Sequence, residues 1–405
     1  MDSHKGATAV IRLKTLGPLL AAALCLAAAA CPTEPESEPF VTGADFVLVG
    51  GTLIDGTGAA AVPDAAVVIR DDKVVFAGRR SRVTISPDAD TVNVGGATIL
   101  PGFIDAHVHG AYSATTLWAW ARAGVTTVRD EGIQQTGAVL RDLIAQRDTA
   151  WSAPAYARLV SAGWMITAPG GYGRLAVSTA VEARARVNEE LDQGADLIKV
   201  AVEDGTTVQN SLPVLSTEAL LAAVATAHAR DRLVSAHITD ARFLQTVVDA
   251  GVDDAAHVTW DPVPDALFRR MIARHITLVP TLTVFEPGGA LPQGQANLRR
   301  FLQLGGTVAM GDDYGGLPAS QNPHFALGMP MPEILWMAEA GMTPLQIIVA
   351  ATRNAAHVCS LDAELGTLEA GKTADVLVVN GDPLRDLNAL LNVRLVIHRG
   401  VVIRS

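Results

Sequence analysis

The chain has 405 residues, is 49% hydrophobic and carries a formal net charge of −11. That apolar fraction supports a large buried core. The acidic balance leaves no long basic stripe for phosphates, so the expected partner is a small-molecule substrate and not nucleic acid.

The first elements in chain order are processing signals. His4, Lys5, Arg12 and Lys14 form a basic start, and Leu16 to Ala30 is apolar but short for a membrane span. Residues 1–30 read as a signal peptide. The small residues Ala28-Ala-Ala before Cys31, followed by the polar, proline-rich stretch 31–43, point to a bacterial lipoprotein. Cys31 is then expected to be the lipidated first residue of an exported protein anchored to a membrane and facing the periplasm or cell exterior. Ordinary cleavage after Ala-x-Ala and an uncleaved anchor are the alternatives. The third cysteine after Cys25 and Cys31 is Cys359, so the mature fold is expected to have no disulfide.

Residues 44–99 are strand-rich, with runs such as Asp45-Phe-Val-Leu-Val-Gly and Lys73-Val-Val-Phe-Ala-Gly set between turn residues. The texture returns in residues 361–405, in Ala374–Asn380, Val393–His398 and Val401-Val-Ile. Two β-rich ends around a different middle predict one small β-sandwich formed from both chain ends. Residues 100–360 alternate short apolar runs with helical segments, the pattern of parallel strand–helix units. Expected strands are 103–109, 125–129, 157–163, 195–202, 232–238, 253–258, 276–284 and 307–312. Expected helices include Val177–Leu191, Thr217–Arg230 and Asp240–Ala250. The predicted fold is α/β: a (β/α)8 TIM-like barrel, whose chemistry gathers at strand C-terminal ends, plus the sandwich.

Six residues at or near such ends form a candidate metal site: His107, His109, Lys199, His237, His257 and Asp312. His107 and His109 are two apart on a strand, so both imidazoles face one way. His237 and His257 each close a strand about 20 residues apart, and a lone histidine there would more often be a core residue. Lys199 lies in an apolar strand, where a barrel leaves no edge to escape to. A desolvated lysine loses proton affinity, and its neutral amine can add CO₂ to become a carbamate able to bridge two cations. Asp312, first after Gly311, is expected to bind metal and to serve as the catalytic proton acceptor, with Asp313 as the fallback. Tyr172 and Arg174 follow two glycines in the loop after the third strand. They are the candidate substrate residues, with Arg174 suited to a carboxylate.

These pieces resemble the amidohydrolase superfamily, in the binuclear branch around Xaa-Pro dipeptidases and imidazolonepropionases. The resemblance covers nearly everything after residue 44. It rests on Gly50-Gly-Thr-Leu-Ile-Asp-Gly-Thr-Gly58, Leu100-Pro-Gly-Phe-Ile-Asp-Ala-His-Val-His109, Gly124-Val-Thr-Thr-Val-Arg-Asp130, Gly341-Met-Thr-Pro344, Ala351-Thr-Arg-Asn-Ala-Ala356 and Leu365-Gly-Thr-Leu-Glu-Ala-Gly-Lys-Thr-Ala-Asp375. It implies two divalent metal ions, zinc by default with manganese, cobalt or iron as alternatives. His107, His109 and Asp312 would hold the buried one, His237 and His257 the outer one, and carbamylated Lys199 would bridge them. The chain departs from the pattern at Tyr172, where many relatives have His, and after His237, where Ile-Thr-Asp240 lacks the Glu of the deaminase branch. The expected activity is hydrolysis of an amide or peptide C–N bond in a dipeptide or N-acyl amino acid, by metal-activated water. Cyclic-amide hydrolysis, deamination and lactone or phosphotriester hydrolysis are the alternatives on the same site, and a non-catalytic binding lipoprotein is the remaining one.

Overall fold

The central region is built from strands that are buried on both faces. In a computed structural model, β1 (Phe103–Val108), β2 (Val125–Asp130), β4 (Ile198–Val202) and β5 (Val234–Ile238) are buried at every position, and β3 (Arg158–Ser161) at all but its first. The shorter β6 (Asp254–Ala256) and β7 (Thr277–Val279) are buried throughout as well. Continuous apolar runs of this kind suit parallel strands covered by helices. The structure describes residues 40–42, 46–206, 211–317, 320–325 and 327–405. The expected leader, Cys31 and nearly all of the tether lie outside these. Among the described residues, no helix is long and apolar enough to cross a membrane.

The strands form two parallel arcs. One runs β3–β2–β1, and the other runs through the short strands Leu175–Ala176 and Ile166–Thr167 to β4, β5, β6 and β7. Hydrogen bonds join the arcs at both seams. Asp196 N donates to Ser161 O at 2.8 Å, ahead of β4. On the other side Leu278 N donates to Thr307 O at 3.0 Å, and Ala106 N donates to Met310 O at 2.9 Å. The eighth segment, 307–314, is held by isolated bridges at Val308 and Tyr314 and makes no regular strand. The expected order of units is therefore present, with an irregular last member.

Helices begin where side chains satisfy free backbone N–H groups. Ser113 caps the helix Ala114–Ala123, Thr179 caps Ala180–Asp192 and Ser216 caps Thr217–His228. The Thr179 cap makes the third helix start three residues later than its apolar periodicity suggests.

Both chain ends meet in one mixed sheet. Ala97–Pro101 pairs antiparallel with Val376–Asn380, which continues to Val393–His398 and Val401–Arg404. On the other side the sheet runs to Phe46–Leu53, Val62–Arg70 and Lys73–Arg79. A small parallel pair, Phe40–Thr42 with Val83–Ile85, stands apart. Alternation sorts the strand Val376–Asn380: Val376 and Val378 pack with Leu48, Val67 and Ile99, while Leu377 and Val379 join the core of the ring. Gly124 is where the first helix meets Leu377, because an added Cβ would lie 2.6 Å from Leu377 Cδ1.

Inside the ring, Arg129 of β2 is completely buried. It donates to Asp254 of β6 at 2.8 and 3.1 Å and to the carbonyls of Ala106 and Val358 at 2.6 and 2.9 Å. Its Nε also lies 2.7 Å from Glu131. Burial alone would discharge the guanidinium, but the Asp254 and Glu131 charges hold it cationic. Replacing Arg129 by Met should leave buried Asp254 without its counter-ion and Glu131 with Lys199 alone, and cost about 3–5 kcal/mol. Urea unfolding of wild type and Arg129→Met measures this; a loss below about 1 kcal/mol would mean that the network contributes little to stability.

Candidate metal centre

His107 lies near the end of β1 and His109 just past it, with their ring centroids 5.4 Å apart. Opposite them the chain leaves Gly311 and passes alongside β1. A Cβ at Gly311 would stand 2.7 Å from His107 Cβ, so only glycine allows this approach. Asp313 N donates to His107 O at 2.8 Å, and Asp313 adopts a left-handed φ of 57°. That turn carries its Oδ1 to 3.3 Å from His107 Nε2 and 3.2 Å from His109 Nε2.

Asp312 was the expected residue, and the structure places it elsewhere. Its Oδ1 accepts from Tyr314 N at 2.8 Å, and its backbone N–H donates to Asp105 Oδ1 at 3.3 Å. Burial pushes Asp312 up to about 7, and burial together with the Asp312 charge holds Asp105 well above the usual carboxylate range. These two acids make a contact with each other and not with the imidazoles. The carboxylate facing the histidines is Asp313.

On the far wall, His237 of β5 and His257 just after β6 bring Nδ1 and Nε2 to 2.8 Å. Hydrogen bonds fix the tautomers needed for metal binding. His257 Nδ1 lies 2.6 Å from Thr281 Oγ1, whose own hydroxyl donates to Pro280 O. Nδ1 of His257 therefore carries the hydrogen and Nε2 presents a lone pair. Likewise His109 Nδ1 donates to Gly132 O at 2.9 Å, freeing Nε2 toward Asp313. Ligand atoms of His107, His257 and Asp313 all lie within 4.8 Å of one another. Burial lowers the pKa of His107 to about 4 and lowers those of His237 and His257 as well, which keeps them neutral ligands. Burial also disfavours a charged His109, but the Asp313 carboxylate beside it wins and raises its pKa to about 9.

Without a metal a proton on His109 Nε2 satisfies the Asp313 carboxylate, and a divalent cation that displaces this proton would be held between the two groups. Four imidazoles and one carboxylate, all buried, are a donor set that fits a divalent metal, with zinc well matched to nitrogen and oxygen ligands. Backbone strain gathers at the same place: His257, Thr281 and Asp313 all have positive φ, at 76°, 47° and 57°.

Lys199 is the second residue of β4, lower in the ring than a strand-end position, and 1% exposed. Its Nζ lies 2.6 Å from Glu131 Oε2 and 3.4 Å from Ser235 Oγ. Glu131 did not figure in the sequence reading. The signal available was its place two residues after Arg129, on the same side of β2 and hence inside the ring. Glu203, just past the end of β4, was missed in the same way; it is buried, with its carboxylate 3.8 Å from His237 Nε2.

Two cavities flank the histidines. One, of about 380 Å³, is lined by His109, Gly132, Met165, Tyr172 and Arg174. The other, of about 300 Å³, is lined by Tyr172, Glu203, His237, His257, Trp260 and Asp313 among others. Tyr172 separates them and stacks on His237 with ring centroids 4.3 Å apart. Arg174 is exposed, with one weak contact to Thr136 Oγ1 at 3.3 Å.

A sequence profile of the amidohydrolase family matches residues 98–403. The chain belongs to the amidohydrolase family. Ochratoxinase from Aspergillus niger is 26% identical, over 87% of this chain and 84% of that protein. Imidazolonepropionase from Symbiobacterium thermophilum is 26% identical, over 83% and 91%. A solved Xaa-Pro dipeptidase with bound methionine in its active site superposes with a TM-score of 0.77 at 25% identity, covering 89% of this chain and 100% of that one. This member of the amidohydrolase family is thus a hydrolase, and its neighbours imply a barrel with a β-sandwich domain.

The segment carrying Thr281 is held by Glu333, a fully buried acid on the helix Met331–Glu339. Its Oε2 accepts from Thr283 N at 2.9 Å and Thr283 Oγ1 at 2.8 Å. Burial raises its pKa to about 8 against those hydrogen bonds, so the fold favours the protonated acid. The stability this contributes is complete below the ordinary carboxyl pKa and is lost as pH rises through about 8. Thermal midpoints should therefore fall more steeply between pH 5 and pH 8 in wild type than in Glu333→Gln. Superimposable profiles would show that Glu333 does not titrate in this window.

Proposed function

We propose that this enzyme cleaves an amide C–N bond in a small substrate bearing a carboxylate, a dipeptide or an N-acyl amino acid, at a centre of two divalent metal ions. The observation carrying this reading is the convergence of His107, His109 and Asp313 on one side and His237 with His257 on the other. We also read the ring as a distorted (β/α)8 barrel, and residues 1–43 as an export signal and lipid-anchored tether beginning at Cys31.

His107, His109 and Asp313 would hold the buried ion, and His237 with His257 the outer one. Bound there, the metals supply an activated water and polarise the scissile carbonyl. Asp313 is the carboxylate placed to accept the water's proton and return it to the leaving nitrogen, because an amide nitrogen leaves poorly unless protonated. Tyr172 covers His237 and limits water at that wall. Arg174 stands at the mouth of the His109 cavity, free to pair with a substrate carboxylate. The bound methionine of the similar dipeptidase agrees with an amino-acid-sized ligand.

Lys199 is proposed to carry the bridging carbamate. Glu131 sets the condition, since it holds the unmodified amine at 2.6 Å while its other oxygen rests on Arg129 at 2.7 Å. Addition of CO₂ to the neutral amine forms the N–C bond and releases one proton, and Glu131 then keeps Arg129 as its counter-ion. Metal-loaded enzyme prepared in ¹³C-bicarbonate should show a carbamate resonance that Lys199→Met lacks. Its absence from wild type would leave Lys199 as the ammonium partner of Glu131 and remove the bridge.

The substrate reading is tested by screening metal-loaded enzyme against dipeptides, N-acyl amino acids, their C-terminal amides, lactones and cyclic ureides. Arg174→Ala should raise KM for carboxylate substrates by a factor equivalent to about 1.5–3 kcal/mol, and affect the C-terminal amides less. Equal losses on both would take Arg174 out of the site.

A further inference from the structure

The 300 Å³ cavity holds a carboxylate that the reaction above does not use. Glu203 is 4% exposed, and its carboxylate lies 3.8 Å from His237 Nε2 in a lining that also includes Tyr172 and Trp260. That separation exceeds a direct hydrogen bond. A carboxylate held largely out of water is costly, and a cationic ligand relieves that cost. The walls around it are aromatic. Tyr172 stacks on His237, and Trp260 stacks on Phe285 with centroids 4.9 Å apart. A buried carboxylate among aromatic faces is the chemistry that recognises an ammonium group.

We propose that Glu203 receives the free α-ammonium group of the substrate, which makes the substrate a dipeptide with an unblocked amino terminus and not an N-acyl amino acid. The inference rests on the amide-hydrolysis reading above. The amino-terminal residue would occupy the Trp260 and Phe285 side, and its ammonium would lie beside the scissile carbonyl, close to His237. The carboxyl-terminal residue would pass Tyr172 into the other cavity and present its carboxylate to Arg174. The two charged side chains thus lie on opposite sides of Tyr172, matching the two charged ends of a dipeptide. A competing role for Glu203 is to orient His237 through the ring nitrogen that does not face His257.

The test compares dipeptides with their N-acetyl counterparts on metal-loaded wild type and Glu203→Gln, with metal content measured on each preparation. Wild type should favour the free dipeptide by at least tenfold in kcat/KM. The Gln variant should lose at least tenfold more on the free dipeptide than on the acetylated one, chiefly through KM, with metal content retained. Equal losses on both substrates with reduced metal would assign Glu203 to orienting His237 and overturn the proposal, as would a wild type that prefers the acetylated form. If neither substrate is hydrolysed while another class is, the amide reading itself falls and this assignment falls with it.

Discussion

A line of four buried charges ties the ring together: Asp254, Arg129, Glu131 and Lys199, from β6, β2, the end of β2 and β4. With Lys199 unmodified, two are cations and two are anions, so this line of four balances. Charges buried this deeply persist only when each finds a partner, and the partners here are 125 residues apart in the case of Arg129 and Asp254. The pairing therefore depends on the strands standing in their parallel order. It also sets Lys199 and Glu131 beneath the histidines, so the network that organises the ring also decides the chemistry of the centre.

Above that layer, neutral contacts do the aiming. Thr281 and the Gly132 carbonyl hold the Nδ1 hydrogens of His257 and His109, which leaves Nε2 of each ring facing inward. Glu333 anchors the segment that presents Thr281, and a left-handed backbone at His257, Thr281 and Asp313 turns the three residues into place. Strain of this kind persists only when surrounding contacts over-determine it, and the buried hydrogen bonds here do so. The result is a rigid set of ligands between two cavities of different character, one beside Arg174 and one beside Glu203.

Much of this was legible in the chain itself. Two-residue spacing put His107 and His109 on one face, and the apolar runs ending at His237 and His257 marked two more strand ends. The β-rich termini were readable as one structure, and Ala97–Pro101 does pair with Val376–Asn380. The choice between Asp312 and Asp313 was not legible, because strand alternation decides such pairs only in a regular strand. Residues 307–314 are held by isolated bridges, and a left-handed turn at Asp313 reverses the parity. Glu131 and Glu203 were missed for a related reason: an acid just past a strand reads as a turn residue, and only the ring's closure around Lys199 and His237 gives each an inward role.

The central claim is that Asp313, and not its neighbour, completes a metal centre with the four histidines. Metal content of matched Asp313→Asn and Asp312→Asn preparations, measured by elemental analysis after loading and desalting, tests it most directly. The account predicts that Asp313→Asn loses at least one equivalent of metal relative to wild type while Asp312→Asn retains the full complement. Loss of metal from Asp312→Asn with full retention in Asp313→Asn would contradict it.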